Sequence, residues 1–177
     1  MDHRTRRRAR RGHRPPVKPL RALTVLIAVA IVVADQVTKH WALNALGDGR
    51  TIDIVGSLRF NLTFNSGVAF AKGQGIGPVI AVVGLIVVAY LLIGLQRHTK
   101  PGAVFVGMVA GGAAGNIVDR LLRGRGWLRG AVVDFIDLQW WPIFNIADAA
   151  IVLGAGALVV ASLAPKGPST GASRDAE

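Results

Sequence analysis

Carboxylates are the side chains of this sequence that could do chemistry together, and two of them delimit one segment. Asp134 follows a short apolar run, and Asp148 opens another fourteen residues later. Two neighbouring carboxylates resist ionising together, so one of them keeps a proton. The ionised member can draw a proton from water while the protonated member polarises a carbonyl, and the pair titrates as a unit. The spacing indicates a candidate acid–base pair and leaves open which aspartate starts protonated.

Other reactive side chains are sparse. The 177 residues include no cysteine, which excludes disulfides, thiolate metal sites and a cysteine nucleophile. The four histidines are scattered, and two of them lie in the basic N-terminal segment. We therefore expect neither a metal ion nor a cofactor.

The positive charge is concentrated at one end of the chain. The net charge is +11, and nine of the 21 basic residues lie within the first 21 positions, ahead of an apolar run. A basic run before a hydrophobic span more often anchors a membrane protein on the anionic cytoplasmic face than binds nucleic acid. We predict no nucleic-acid partner and a disordered cytoplasmic tail over residues 1–19.

The apolar runs are too long for a soluble core. We predict an all-α membrane domain over residues 20–164, followed by a second disordered tail over residues 165–177. Its four transmembrane helices are predicted at residues 20–46, 76–95, 103–122 and 144–163. An even number of spans places both termini on one side, and the basic residues favour the cytoplasm. The acids within or beside the spans then lie toward the outer face; they are Asp35, Asp119, Asp134 and Asp148.

The segment between the first two spans has a different pattern. Apolar residues alternate with polar ones from Leu58 to Phe64, which is the period of a β-strand with one apolar face. A strand beside a membrane suits a small extracytoplasmic cradle that pairs with an extended peptide. An ordinary connecting hairpin explains the pattern equally well.

The third span combines small and polar residues. Glycine recurs every fourth residue over Gly107–Gly115, which lets another helix approach closely. Asn116, Asp119 and Arg120 share one helical face. Ionisable groups within a span usually face the protein interior and have partners there.

Two further sets of charges accompany the spans. Asp35 and Lys39 are four residues apart on the first span, with the acid first, which is the favourable order. We favour a structural ion pair at the helix exit over a catalytic role for them. The outer segment after the third span holds Arg123, Arg125 and Arg129, and we expect these arginines to bind carboxylates or lipid phosphates.

Five short stretches resemble the lipoprotein signal peptidases, also called signal peptidase II. They stand in the family's order and are DQVTK at 35–39, FNSGVAF at 64–70, GGAAGNIVDR at 111–120, VVDFID at 132–137 and FNIAD at 144–148. The resemblance covers residues 20–164. It implies a four-helix membrane aspartyl endopeptidase. Such an enzyme removes the signal peptide of a diacylglyceryl-modified prolipoprotein by cutting before the lipidated cysteine.

The resemblance also assigns residues by motif. Asp134 and Asp148 match the family's catalytic pair. The positions that match supporting or substrate-binding residues are Asn65, Asn116, Asp119, Arg120, Asn145, Asp35 and Lys39. We expect a monomer in the bacterial inner membrane, in contact with lipids, whose active site lies near the outer face.

Two other functions compete with this interpretation. A small proton- or ion-coupled transporter could use Asp119, Arg120 and Asp148, although acids at several depths and an inverted repeat, which would favour it, are not visible. A non-catalytic membrane assembly factor could be built on the glycine stripe. Cleavage of a lipidated substrate by the purified protein would separate the three.

Overall fold

The computed structural model describes residues 17–66, 86, 99–124 and 126–163, with side chains from Leu20 onward. The elements in this part are α1 Val17–Leu46, β1 Ile52–Val55, β2 Leu58–Asn65, α2 Lys100–Leu122, β3 Val132–Asp137 and α3 Ile146–Leu163. Residues 1–16 and 165–177 of the predicted tails lie outside the described residues, as does the predicted span at 76–95 apart from Ile86. Residues 17–19, predicted as tail, belong to α1, whose first turn tolerates a proline.

All three described helices are long and apolar enough to cross a membrane. The candidate spans contain 27, 23 and 18 residues, with mean hydropathies of 2.0, 1.5 and 2.2. At about 1.5 Å per residue, even the shortest approaches the thickness of a bilayer's hydrocarbon core, about 30 Å. The chain is therefore a helical, multi-pass membrane protein with a small sheet, and the count of four spans stays a prediction.

Glycine allows α2 to pack between α1 and α3. A Cβ atom added at Gly111 would lie 2.6 Å from the carbonyl oxygen of Ala28 in α1. On the other side, a Cβ atom at Gly112 would collide with the carbonyl oxygen of Ala147 in α3. The predicted close approach along the glycine stripe is confirmed for α1, and Gly112, which lies outside the four-residue spacing, serves the second neighbour.

The three strands form one antiparallel sheet in the order β1–β2–β3. β1 and β2 form a hairpin whose turn includes Gly56 at φ +57°, a left-handed conformation that glycine adopts without steric cost. The strand predicted over 58–64 is thus confirmed, and it belongs to a hairpin. The other edge of β2 pairs with β3 and places Thr63 opposite Asp134.

An aromatic cluster holds the sheet against the C-terminal part of α1. The Trp41 ring lies 5.1 Å from the Phe60 ring and 6.1 Å from the Phe135 ring, both edge to face. Ala42 and Leu46 form the buried core with Phe135. Aromatic pairs in this geometry stabilise by about 1 kcal/mol beyond the burial of their area. The cluster therefore fixes β3 close to the polar residues of α1.

α3 begins two residues later than predicted. Phe144 remains extended because it exchanges backbone hydrogen bonds with Ile136 of β3, at 2.8 and 3.0 Å. Asn145 consequently precedes the helix, so its place inside the span predicted at 144–163 is wrong. Asp148 lies within that span, as predicted, and in the first turn of the helix. The Phe144–Ile136 bridge brings the start of α3 against β3.

Candidate active site

Asp148 and Asn145 cap the start of α3 reciprocally. The Asp148 backbone N–H donates to Asn145 Oδ1 at 2.9 Å, and the Asn145 backbone N–H donates to Asp148 Oδ2 at 3.2 Å. In this capping box each residue satisfies a backbone donor that the helix leaves unpaired. The contacts that begin the helix therefore also orient the Asp148 carboxylate, and the positive end of the helix dipole favours its charge.

Asn145 also links Asp148 to Asp134. Because the amide oxygen of Asn145 accepts from Asp148, its Nδ2 group faces away and donates to Asp134 Oδ1 at 2.6 Å. Asn65 on β2 donates from Nδ2 to Asp134 Oδ2 at 3.3 Å. The Asp134 residue is only 2% exposed. Two carboxylates from different elements thus bind one residue, Asp134 at the side-chain amide of Asn145 and Asp148 at its backbone N–H.

The second oxygen of Asp148 is bound through α2. Asn116 Nδ2 donates to Asp148 Oδ1 at 2.8 Å, and Lys39 Nζ donates to Asn116 Oδ1 at 3.0 Å. An ammonium group only donates, so the atom of Asn116 that it contacts is the oxygen. Lys39 therefore fixes the orientation of the Asn116 amide. Each carboxylate oxygen of Asp148 then accepts a hydrogen bond from a group that can only donate in this arrangement, the oriented Asn116 amide or the Asn145 backbone N–H.

Lys39 lies between Asp35 and Asp119 in a buried ion cluster. Its Nζ is 2.9 Å from Asp35 Oδ2 and 2.8 Å from Asp119 Oδ2, and none of the three side chains is exposed. The two residues expected to pair on the first span, Asp35 and Lys39, are therefore in contact. Asp35 Oδ1 also accepts from the Ala147 backbone N–H in the first turn of α3, at 3.1 Å. The cluster joins all three described helices beside the candidate pair.

Asp119 connects this ion cluster to β3. Arg123 Nε donates to Asp119 Oδ1 at 2.7 Å, and the Val133 backbone N–H donates to Asp119 Oδ2 at 3.2 Å. Val133 immediately precedes Asp134, so Asp119 helps to place the strand that carries it. Arg123 binds a carboxylate, as expected, whereas Arg125 lies outside the described residues.

The two acids of β3 have opposite electrostatics. Desolvation, and then the charge of Asp148, raise the pKa of Asp134 to about 7 from an ordinary value of 3.8. Asp137 is also buried, at 4% exposure. Although desolvation opposes its ionisation, hydrogen bonds from Arg59 and neighbouring amides lower the pKa of Asp137. Near neutral pH, Asp134 can therefore hold or release a proton, while Asp137 stays ionised.

Arg120 adds an unsatisfied donor to the site. Its side chain is 5% exposed, and within the described part of the chain Nη1 has no hydrogen-bond partner. Its charge acts on Asp134, Asp119 and Asp148. A buried donor without a partner costs about 1–3 kcal/mol. This atom is therefore suited to an oxygen of a bound molecule.

Most residues that the sequence assigned to the site meet in one hydrogen-bonded network. Its members are Asp35, Lys39, Asn65, Asn116, Asp119, Asp134, Asn145 and Asp148. The ninth residue, Arg120, lies among these charges.

Two features of the site and its surroundings were not predicted from the sequence. Gln36 Nε2 lies 3.1 Å from both Asp35 Oδ2 and Asp119 Oδ1, and a polar residue inside an apolar helix could have indicated it. The ion pair of Arg59 with Asp137, at 2.8 Å, depends on a strand register that the sequence did not reveal.

The sequence is similar to known signal peptidases. The family model described as signal peptidase (SPase) II matches residues 27–164. The lipoprotein signal peptidase of Mycobacterium avium strain 104 is 40% identical over 153 residues, covering 84% of each chain. That of Mycobacterium tuberculosis H37Rv is 41% identical over 149 residues, covering 82% of this chain and 74% of the relative. A bacterial membrane enzyme solved by the in meso method at 2.3 Å superposes with a TM-score of 0.70 at 29% identity, over 80% of this chain and 88% of that one.

Proposed function

Since the chain belongs to the signal peptidase II family of membrane aspartic peptidases, we propose that Asp134 and Asp148 are its catalytic pair. The observation that carries this assignment is that Asn145 binds both carboxylates, Asp134 through its side-chain Nδ2 group and Asp148 through its backbone N–H. Neither acid forms an ion pair with a cation in the part of the chain that the structure describes. The transporter and assembly-factor hypotheses gain no support from the relatives.

The hydrogen-bond donors favour Asp148 as the base. Both of its oxygens already accept from donors of fixed orientation, which stabilises the ionised carboxylate. The raised pKa of Asp134 keeps the resting proton on that residue. A single proton shared between two acids is the arrangement that aspartic peptidases use.

The reaction follows from this protonation state. Asp148 takes a proton from water while the water oxygen bonds to the carbonyl carbon of the scissile peptide. Asp134 gives its proton to the carbonyl oxygen, and a gem-diol forms. Asp148 then passes its proton to the peptide nitrogen as the C–N bond breaks, and Asp134 recovers a proton from the gem-diol. Each acid ends in the state in which it began.

The surrounding residues hold this pair and receive the substrate. Arg120 Nη1 is suited to a backbone carbonyl of the peptide, because it is a buried donor that lacks a partner among the described residues. Asn65 and Asn145 orient Asp134. Lys39 orients Asp148 through Asn116.

The substrate is a prolipoprotein, and we assign the cut to the bond before its diacylglyceryl-modified cysteine. A lipid anchor would hold that bond at the depth of the active site, a positioning effect. We further propose a monomer with four spans, both termini in the cytoplasm and the site near the outer face. An impermeant thiol reagent should then label Gly49→Cys but not Thr99→Cys in intact cells, and the reverse pattern would invert this topology.

Cleavage of a purified prolipoprotein tests the assignment. We expect the wild-type protein to shorten the lipidated form and to cut the unlipidated form far more slowly. Asp134→Asn should abolish cleavage. Asp137→Asn is the matched control, because Asp137 lies buried on the same strand but is held by Arg59, and this variant should remain active. An active Asp134→Asn enzyme would overturn the assignment.

A further inference from the structure

The glycines on the α1-facing side of α2 do not all make room for the same kind of group. A Cβ atom added at Gly107 or Gly111 would lie 2.8 or 2.6 Å from a backbone carbonyl oxygen of α1. At Gly115, one helical turn further along, the nearest atom to an added Cβ is a side-chain oxygen, Asp35 Oδ2, at 2.6 Å. The first two glycines therefore admit the backbone of a neighbouring helix, whereas Gly115 admits a carboxylate.

The Asp35 carboxylate is held where it lies. Its Oδ2 is 2.9 Å from Lys39 Nζ and accepts from Gln36 Nε2 at 3.1 Å, and the side chain is fully buried. The same Gln36 Nε2 group donates to the carbonyl oxygen of Gly115 at 3.2 Å. A methyl group at position 115 would push Oδ2 by about 0.8 Å, the difference between 2.6 Å and an ordinary contact of 3.4 Å. Such a shift would disturb the contacts of the carboxylate with both donors.

The other oxygen of this carboxylate holds the start of α3. Asp35 Oδ1 accepts from the Ala147 backbone N–H at 3.1 Å. This N–H belongs to the first helical turn, where the helix itself supplies no acceptor. Ala147 directly precedes Asp148, and a carboxylate is rigid, so a displacement of Oδ2 also displaces Oδ1. The space at Gly115 is therefore linked to the position of Asp148 through two contacts.

We propose that Gly115 is a positioning residue of the active site, because its missing side chain lets the Asp35 carboxylate reach α3 and fix the place of Asp148. The proposal rests on the proposed function, since it names what positions the proposed base. Gly115 acts here through Asp35, which is fully buried and does not meet the substrate. A change at Gly115 should therefore lower kcat and leave KM unchanged.

Two glycine substitutions separate positioning from packing. Gly115→Ala and its matched control Gly111→Ala each add one methyl group to the same side of α2, one turn apart. We expect Gly111→Ala to lower the unfolding midpoint by about 5 °C through overpacking against α1, without changing kcat per folded molecule. Gly115→Ala should lower kcat about 100-fold, the effect of misplacing a catalytic group by about 1 Å, with KM for the lipidated precursor unchanged. A folded Gly115→Ala enzyme with the kcat of Gly111→Ala would overturn the proposal.

Amide hydrogen exchange tests the same link without catalysis. Residue-resolved exchange in detergent should be about tenfold faster at the Ala147 amide in Gly115→Ala than in the wild type, because the contact with Asp35 Oδ1 is weakened. Gly111→Ala should leave this amide as protected as in the wild type. Unchanged protection of Ala147 in Gly115→Ala would contradict the proposal. Failure of the proposed function is distinguishable, because the wild-type protein would then not cleave the precursor while the exchange difference persisted.

A double substitution identifies Asp35 as the intermediary. In an Asp35→Ala protein, Gly115→Ala should lower kcat no further, since no carboxylate remains to be displaced. A second loss as large as that in the wild-type background would mean that Gly115 acts through the backbone of α2, and the proposal would be wrong. If Asp35→Ala does not fold, the Ala147 exchange rate of the single variants decides.

Discussion

The protein holds two neighbouring groups of buried carboxylates by different chemistry. In the ion cluster of Asp35, Lys39 and Asp119, each acid contacts the ammonium group within 3 Å. In the pair of Asp134 and Asp148, the side-chain contacts come from amide groups. A cation fixes the charge of an acid, whereas an amide orients the acid and leaves its proton free to move. The comparison separates the acids that hold the helices together from those suited to transfer protons.

The largest effect is expected when the pair is disrupted. Asp134→Asn combined with Asp148→Asn should reduce cleavage about 10³-fold or more, and no further than either single change, because the two acids act as one unit. Initial rates on the lipidated substrate, normalised to folded enzyme, measure this. A double variant far slower than both single variants would mean that the acids act in separate steps.

Substitution of Asp119 in the ion cluster should lower the stability of the protein and leave the catalytic step largely unchanged. Asp119→Asn should lower the free energy of unfolding by about 3 kcal/mol or more, because it removes one partner of a buried charge. The folded fraction should keep most of its activity. Unfolding midpoints in detergent and rates per folded molecule measure both quantities. Asp48→Asn is the control, because the Asp48–Arg50 pair is solvent-exposed and its loss should not measurably change the midpoint. An inactive, well-folded Asp119→Asn enzyme beside an active Asp134→Asn enzyme would place Asp119 in the pair.

The remaining predictions concern pH. The pKa of Asp134 is raised to about 7, so its proton is lost as the pH rises through that value. We expect kcat/KM to fall about tenfold per pH unit above it. Pre-steady-state or initial-rate profiles in a detergent that is neutral across pH 5–9 would show this limb. A flat profile between pH 6 and 9 would contradict a resting proton on Asp134.

The proton on Asp134 also makes the free energy of unfolding depend on pH. The folded protein binds it more tightly than the unfolded chain, so this stabilisation is complete below about pH 4 and is lost as the pH rises through about 7. A shift of about three pH units corresponds to on the order of 4 kcal/mol. Asp134→Asn should therefore become more stable relative to wild type between pH 4 and pH 8. An unchanged difference across this range would show that Asp134 is already ionised in the folded protein.

Local patterns predicted the helices well because a bilayer demands long apolar runs. The exits of α1 and α2 lie at Leu46 and Leu122, where the sequence placed them. The glycine spacing predicted which face of α2 another helix approaches, and that helix is α1. The four-residue spacing of Asp35 and Lys39 predicted their contact, since both residues lie on one helix.

Contacts between distant elements could not be predicted in this way. Lys39 reaches Asn116 across 77 residues, and Gln36 reaches Asp119 across 83. The register of β3 against β2 decides that Arg59 binds Asp137.

The later start of α3 could have been predicted from the sequence, because Asn145 and Asp148 have the spacing of a capping box. The spacing of Asp134 and Asp148 indicated a candidate pair, and the motif resemblance matched that pair to the family's catalytic residues.

The Asn145 amide donates to Asp134 at one end and accepts from the Asp148 backbone at the other. This arrangement would allow an Asp134→Asn variant to serve as an affinity reagent. Asparagine at position 134 would mimic the neutral, protonated aspartate and could still present an oxygen to Asn145 Nδ2. The opposite end of Asn145 would continue to cap α3. Asp148→Asn lacks this advantage, since Lys39 prevents Asn116 from reversing to meet a new donor. An immobilised Asp134→Asn protein would retain uncleaved precursors from a membrane extract, and mass spectrometry of the bound fraction would catalogue the lipoproteins that the cell matures through it.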